Sequence, residues 1–188
     1  MANPNAFLSA IRGKINGPLD IMMTEAVLSA AIEFCAESLY CREGRTITAV
    51  EMGEVYSLIE DPQLRAFKIL DVRSPNNPLV NGIDYEVLSD NQIRFSRNHD
   101  YVSLICAVKP HHDASEVPDV LVDDYKEAIA DGALARLFMM VDKPWTQPSM
   151  SQFYRAKFVD GYRKAFRDSL ERYSTPINPN PVRKHEFY

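Results

Sequence analysis

VPDVLVDDYKEAIADGALARLFMMVDKPWTQPSMSQFYRAKFVDGYRKAFRDSLERY, residues 117–173, reads as two long helices joined by a short proline-punctuated corner that holds the only tryptophan, Trp145. Pro118 suits a first helical turn, where its missing N–H has no partner to lose. Asp119, Asp123 and Asp124 sit near the positive end of the helix dipole. The pattern predicts a helix over 118–142, stopped because Pro144 disfavours helical geometry at Lys143. Pro148 followed by Ser149-Met150-Ser151-Gln152 has the spacing of a capping box and opens a second helix over 149–173, ended ahead of Pro176. In the first helix Leu121, Tyr125, Ala128, Gly132, Ala135 and Met139 recur at steps of three and four, and Val122, Ile129, Leu137 and Met140 widen the stripe until little can face water. The small residues Ala128, Gly132 and Ala135 share one side, where a neighbouring backbone can approach closely. Tyr154, Phe158, Tyr162, Ala165, Phe166 and Tyr173 form an aromatic seam on the second helix.

Outward from this pair, a helix is predicted over 4–12, with Phe7, Leu8 and Ile11 on one face, and another over 20–42, with Asp20 as its cap and Gly44 beyond its end. Glu25, Ser29, Glu33 and Glu37 make a narrow polar ribbon on that helix. Ile21, Val27, Leu28, Ala31, Phe34, Cys35 and Leu39 occupy the rest, so it needs cover on two sides. Between residues 45 and 109 the period changes from about 3.6 to 2. Candidate strands are 45–50, 55–59, 66–73, 84–88, 92–96 and 102–108, with Ser89-Asp90-Asn91 as a hairpin turn and breaks at residues 74–78 and at Asn98-His99-Asp100. The short connections favour antiparallel pairing. The fold class is therefore α+β: a bundle of three to four helices with an inserted antiparallel β-sheet. Residues 1–173 make one domain and residues 174–188 an extended C-terminal tail rich in proline.

The chain has 188 residues, a formal net charge of −5 and 46% hydrophobic residues, enough for one domain with a real core. The acidic balance argues against a protein whose main task is to neutralise nucleic-acid phosphate. No apolar run approaches the roughly 18 residues of a membrane span, and no signal-peptide pattern opens the chain; the protein is expected to be made in a reducing cytoplasm. Cys35 and Cys41, six apart within a helix, and Cys106 in an apolar strand read as buried small hydrophobes rather than a disulfide or zinc framework.

Chemistry has little support. His111-His112-Asp113 offers metal-ligand types, but neighbours in an extended loop point in different directions, and helical His spacing is missing. There is no nucleophile elbow, phosphate loop or dinucleotide fingerprint. No catalytic residue, cofactor or metal is assigned. Charge segregation says more. Asp119, Asp123, Asp124, Glu127 and Asp131 make the first long helix acidic, and Arg155, Lys157, Arg163, Lys164, Arg167 and Arg172 make the second basic. Pairing within the chain is the simple explanation; pairing between copies in a ring is the alternative.

Phe34-Cys35, Gly53-Glu54-Val55-Tyr56, Val117-Pro118-Asp119, the run from Glu127 to Leu137, Lys143-Pro144-Trp145 and Phe158-Val159-Asp160-Gly161 together resemble the head-to-tail adaptor (connector) proteins of tailed bacteriophages, over residues 15–173. Gln147 departs from that pattern, which places an acidic residue before the proline. The resemblance implies a non-enzymatic virion protein of the neck, assembled in the host cytoplasm. It also implies a closed ring, commonly of twelve copies, bound to the portal, presenting a platform for tail or nozzle proteins and passing DNA only as cargo. Candidate subunit or portal contacts are Asp123, Asp124, Arg163, Arg167 and Arg172, with Arg183, Lys184, Phe187 and Tyr188 of the tail. Two other classes remain open: a nucleic-acid-binding module using the basic helix 155–172, and a metal-dependent hydrolase using His111, His112 and Asp113.

Overall fold

The computed structural model describes residues 1–75 and 77–173, the side chain of Tyr173 apart; the tail positions Arg183, Lys184, Phe187 and Tyr188 lie outside the described residues. The fold is α+β. A 3-10 turn (Pro4–Phe7) runs into α1 (Leu8–Arg12), and α2 spans Asp20–Ser38. Seven strands follow: β1 (Arg42–Val50), β2 (Val55–Ser57), β3 (Leu64–Ser74), β4 (Asn77–Pro78), β5 (Tyr85–Ser89), β6 (Gln92–Phe95) and β7 (His99–Pro110). The described chain ends with α3 (Asp119–Phe138) and α4 (Pro148–Tyr173).

Several boundaries move from the sequence expectation. Helix α2 stops at Ser38 rather than 42, because Leu39 takes the left-handed conformation (φ 51°, ψ 24°) and donates its N–H to the Cys35 carbonyl at 3.1 Å. Leu39, not a glycine, makes that cap; Gly44 lies inside β1, and Cys41 is outside the helix. Asp20 is the first helical residue of α2 and not its cap. The β region opens at Arg42 instead of 45, and His99, expected in a break, begins the longest strand. Helix α3 ends at Phe138 rather than 142. The Ser149–Gln152 capping box does not form: α4 starts one residue earlier, at Pro148, and the Ser151 hydroxyl donates across to the Ala135 carbonyl at 2.7 Å.

The strands form two sheets instead of one, ordered β1-β7-β3-β4 and β2-β6-β5, with every named pair antiparallel. β7 is central because it alternates at the strand period: Val102, Leu104, Cys106 and Val108 are buried, whereas Tyr101, Ser103 and Ile105 are exposed. In the short sheet Tyr85, Ile93 and Phe95 are buried, and Tyr56 and Tyr85 flank Phe95 at ring separations of 6.0 and 6.3 Å. The turn between β5 and β6 is clamped by Asn91, whose amide accepts from the Ile59 N–H at 2.7 Å and donates to the Ile59 carbonyl at 3.0 Å.

Helices α2 and α3 run antiparallel: Tyr40 meets Tyr125 at a ring separation of 4.9 Å, and Arg136 reaches Glu33. Phe34 of α2 lies 5.1 Å from the Tyr125 ring and 6.2 Å from that of Phe158. The reason for a glycine in mid-helix is now visible. A Cβ on Gly132 would come within 2.7 Å of the Phe158 ring and 3.0 Å of the Ala30 Cβ. A ring, rather than a backbone, fills that notch. The close backbone approach occurs one turn away, where a Cβ on Gly161 of α4 would sit 2.7 Å from that of Ala128. Three residues assigned inward from the sequence point outward: Ile21, Met139 and Phe166 are 65%, 60% and 38% exposed.

The corner between α3 and α4 docks on the link between α1 and α2. The Trp145 ring covers Gly17, whose φ of +113° is one that side chains disfavour, and a Cβ there would lie 2.5 Å from the indole. The Gln147 N–H reaches the Phe138 carbonyl at 2.9 Å, so that corner is held by backbone without an acidic residue. Gly17→Ala is therefore expected to destabilise the fold by at least about 1 kcal/mol. Because Trp145 is the only tryptophan, its fluorescence should shift with the change; an unaltered spectrum and melting point would contradict this packing.

Candidate assembly interface

Pairing within the chain was the simple expectation for the charges of α3 and α4; the ion pairs of Asp119, Glu127, Asp131, Arg136 and Arg155 among the described residues lead to other elements rather than from one of these helices to the other. On α3, Glu127 and the buried Asp131 both accept from Lys14, at 2.8 and 3.2 Å. Burial pulls the Lys14 ammonium toward neutrality, but the bonds to Glu127 and Asp131 outweigh it and its pKa lies above the ordinary lysine value. Asp124, a candidate contact residue, accepts from the Tyr40 hydroxyl at 3.0 Å, and Arg172 donates to that same oxygen at 2.8 Å. These two candidates are thus part of an internal network. Asp119 accepts from the Met1 ammonium at 2.7 Å, whereas the exposed Asp123 has no ion pair or hydrogen bond among the described residues.

On α4, Arg155 is drawn back to Glu33 of α2 at 2.6 Å, a carboxylate that also takes Arg136 at 2.5 Å. That hydrogen bond with Glu33 raises the Arg155 pKa further. Lys157 lies over the Phe153 ring at 4.9 Å. Arg163, Lys164 and Arg167 are exposed and make no ion pair or hydrogen bond among the described residues.

Between the two helices a polar cleft of about 600 Å³ is lined by Tyr40, Asp124, Tyr125, Lys164, Asp168 and Arg172. The Tyr125 hydroxyl donates to Asp168 at 2.7 Å, and its backbone leaves helical geometry (φ −131°, ψ 23°), kinking α3 at this point. Burial, then the bond to Asp168, pushes the Tyr125 phenol well above the tyrosine range; burial and Asp124 raise Tyr40, with Arg172 opposing. Sequence reading missed Lys14, Glu33, Tyr40 and Asp168. Each comes from a different element from its partner, and a single chain read linearly carries no sign of such a meeting.

The histidine cluster has local bonding of its own. His111 accepts from the Asp113 N–H at 3.1 Å, and His112 is exposed. Among the described residues no group of three or more His, Cys, Asp or Glu side chains is placed to hold a metal ion. All three cysteines are buried and unbridged, with Cys35 and Cys41 sulfurs 3.4 Å apart. No described helix is long and apolar enough to cross a membrane. Compared with known proteins, the chain matches no family model and no curated relative.

Proposed function

We propose that this protein is a non-enzymatic subunit of a tailed-phage neck, a head-to-tail adaptor that assembles as a closed ring on the portal and carries tail or nozzle components below it. The observation that supports the reading is where the residues of the resemblance fall. Phe34, Gly132, Phe158 and Gly161 are the ones that set the spacing of α2, α3 and α4, and Trp145 fastens the corner to Gly17. The residues that carry the resemblance thus set the shape of the helix bundle. A subunit that works as a spacer between larger assemblies depends on such rigid helix contacts and on its outer faces.

In this reading DNA passes the ring as cargo, and a net charge of −5 suits a channel that does not retain it. The tail, residues 174–188, is proposed to reach the portal through Arg183, Lys184, Phe187 and Tyr188. The test is imaging of assembled particles together with a portal-binding assay of the full chain and of a chain ending at Tyr173. Density for the protein between capsid and tail, with portal binding lost on truncation, is expected. Particles that lack the protein at the neck overturn the function, and unimpaired binding by the shortened chain overturns the role of the tail.

A further inference from the structure

The larger sheet has an open edge. β3 pairs with β7 from Leu64 to Arg73, but on its other side β4 covers only Arg73 and Ser74, with Leu79 donating its N–H to the Val72 carbonyl at 2.8 Å. Arg65 to Asp71 therefore have a neighbouring strand on one side alone. The direction of their main-chain groups follows from β7. The Val108 N–H points toward β1, where it meets the Cys41 carbonyl at 2.9 Å. Main-chain groups alternate sides along a strand, so Ala66, opposite Val108, and Ile69, opposite Cys106, turn their N–H and C=O away from β7. A groove of about 340 Å³ lies there, lined on β3 by Ala66, Phe67, Lys68 and Ile69. Leu58 and, from β5 of the short sheet, Tyr85 and Val87 line it as well.

We infer that this edge takes an extended, acidic peptide segment of a partner protein, which adds a strand to β3. The inference goes beyond the adaptor reading and does not depend on it. The open main-chain groups of Ala66 and Ile69 are satisfied by another backbone. Side chains of an added strand alternate between two faces, and the two faces differ here. Ala66 and Ile69 share a face with the buried Val108 and Cys106, and the groove beside them holds the apolar Leu58, Tyr85 and Val87. β3 bulges at Phe67 and Leu70, and these skips bring Arg65 and Lys68 onto the opposite face with Lys109 and Ala107. Arg65 and Lys68 are exposed, and neither their side chains nor that of Lys109 makes an ion pair or hydrogen bond among the described residues. Lys109 lies over the exposed Phe67 ring at 4.9 Å. Asp71, on the same face, is held by Arg73 at 2.6 Å. Asp90 also lines the groove, on the β5–β6 turn, so the excess of positive charge lies along β3. The segment that fits alternates apolar residues with Glu or Asp, apolar toward Leu58 and Val87 and acidic toward Arg65, Lys68 and Lys109. Nucleic acid matches the cations but not the strand edge, and the chain's net charge of −5 opposes it.

The test is fluorescence anisotropy of the full chain at low salt with a labelled peptide of about eight residues, Glu alternating with Val and both ends blocked. It should bind, and the same peptide with Lys in place of Glu should bind at least about tenfold more weakly. Methylating the backbone nitrogens of all the Val residues blocks one edge of the peptide, and methylating those of all the Glu residues blocks the other. One of these two peptides should lose binding about tenfold or more while the other stays within about threefold. Hydrogen exchange at the Ala66 and Ile69 amides should slow when the unmethylated peptide is added. Arg65→Glu/Lys68→Glu should lower its affinity about tenfold, with circular dichroism and melting point close to those of the parent chain. A Glu-Val peptide that does not bind overturns the inference, the bulged and lysine-bearing edge then serving only to resist pairing. Equal binding of the Lys peptide, methylated peptides that do not distinguish the two edges, or protection that spares Ala66 and Ile69 overturns it too. So does a charge reversal that leaves peptide affinity unchanged and removes only retention of labelled single-stranded DNA.

Discussion

Phe158→Ala is expected to lower the free energy of unfolding by about 3–5 kcal/mol, the range for removing a large aromatic from a closed core. Phe158 is fully buried and lies against the Gly132 notch, the Phe34 ring and, edge-on at 5.5 Å, Tyr162. Relaxation cannot readily fill the void. The Ala128–Gly161 contact and the Ser151–Ala135 hydrogen bond hold α4 at a fixed distance from α3 on either side. The companion change is more diagnostic. Gly132→Ala forces a methyl into the ring and should cost about 1–3 kcal/mol through overpacking. Combined with Phe158→Leu, which retracts the clashing edge, that cost should fall. Denaturant unfolding of the two single variants and the double variant measures the coupling. Additive costs would mean that Gly132 and Phe158 do not share the space described.

The second large effect is in alkaline solution. Tyr40 and Tyr125 are raised above the ordinary tyrosine value of 10.0, chiefly by burial. Burial also pushes the Cys106 thiol from 9.0 up to about 11. A group whose folded pKa lies above its unfolded value keeps its proton in the native state after the unfolded chain has released it. Its contribution is complete below the unfolded pKa and is lost as pH climbs toward the folded one. Lys14 acts in the same direction, since its ion pairs with Glu127 and Asp131 need the ammonium. All four therefore predict a urea midpoint that falls from roughly pH 9, the unfolded thiol value, upward through pH 11. Tyrosinate absorbance should appear together with unfolding. Tyr125→Phe should lose about 1–2 kcal/mol near neutrality, where the bond to Asp168 is intact, yet show a shallower alkaline decline. A midpoint independent of pH across that range would refute the burial assigned to these phenols.

Much of the fold is legible in the sequence because it rests on periodicity. The alternation along β7 and the three-and-four spacing of Leu121, Tyr125, Ala128 and Gly132 each report a buried side directly. What was not legible depends on tertiary competition. Leu39 ends α2 in a conformation that local preference assigns to glycine or asparagine, because the chain must turn there to start β1. The capping box read at Ser149 and Gln152 gives way because α4 begins at Pro148, and Ser151, inside the helix, bonds across to a carbonyl on the neighbouring helix. The division of the strands into two sheets follows from which hydrophobic faces meet, and strand-length patterns do not encode that. At the candidate interface, the segregation of acid and base between α3 and α4 was plain in the sequence. Its resolution was not, since Lys14, Tyr40 and Glu33 draw away Asp124, Asp131 and Arg155 and leave Asp123, Arg163 and Arg167 facing outward.

The entry and exit of the β region have one more consequence. Arg42, the first residue of β1, is paired in register with Ala107 near the end of β7, so the seven strands leave and rejoin the helices through adjacent points. Adjacent strands stand about 4.8 Å apart, a gap that a turn of two or three residues spans. Such a geometry lets the outer turns of the strand region be lengthened without re-threading the helices, while Val102, Leu104 and Cys106 of β7 stay in the one core they share with Phe34 and Cys35 of α2.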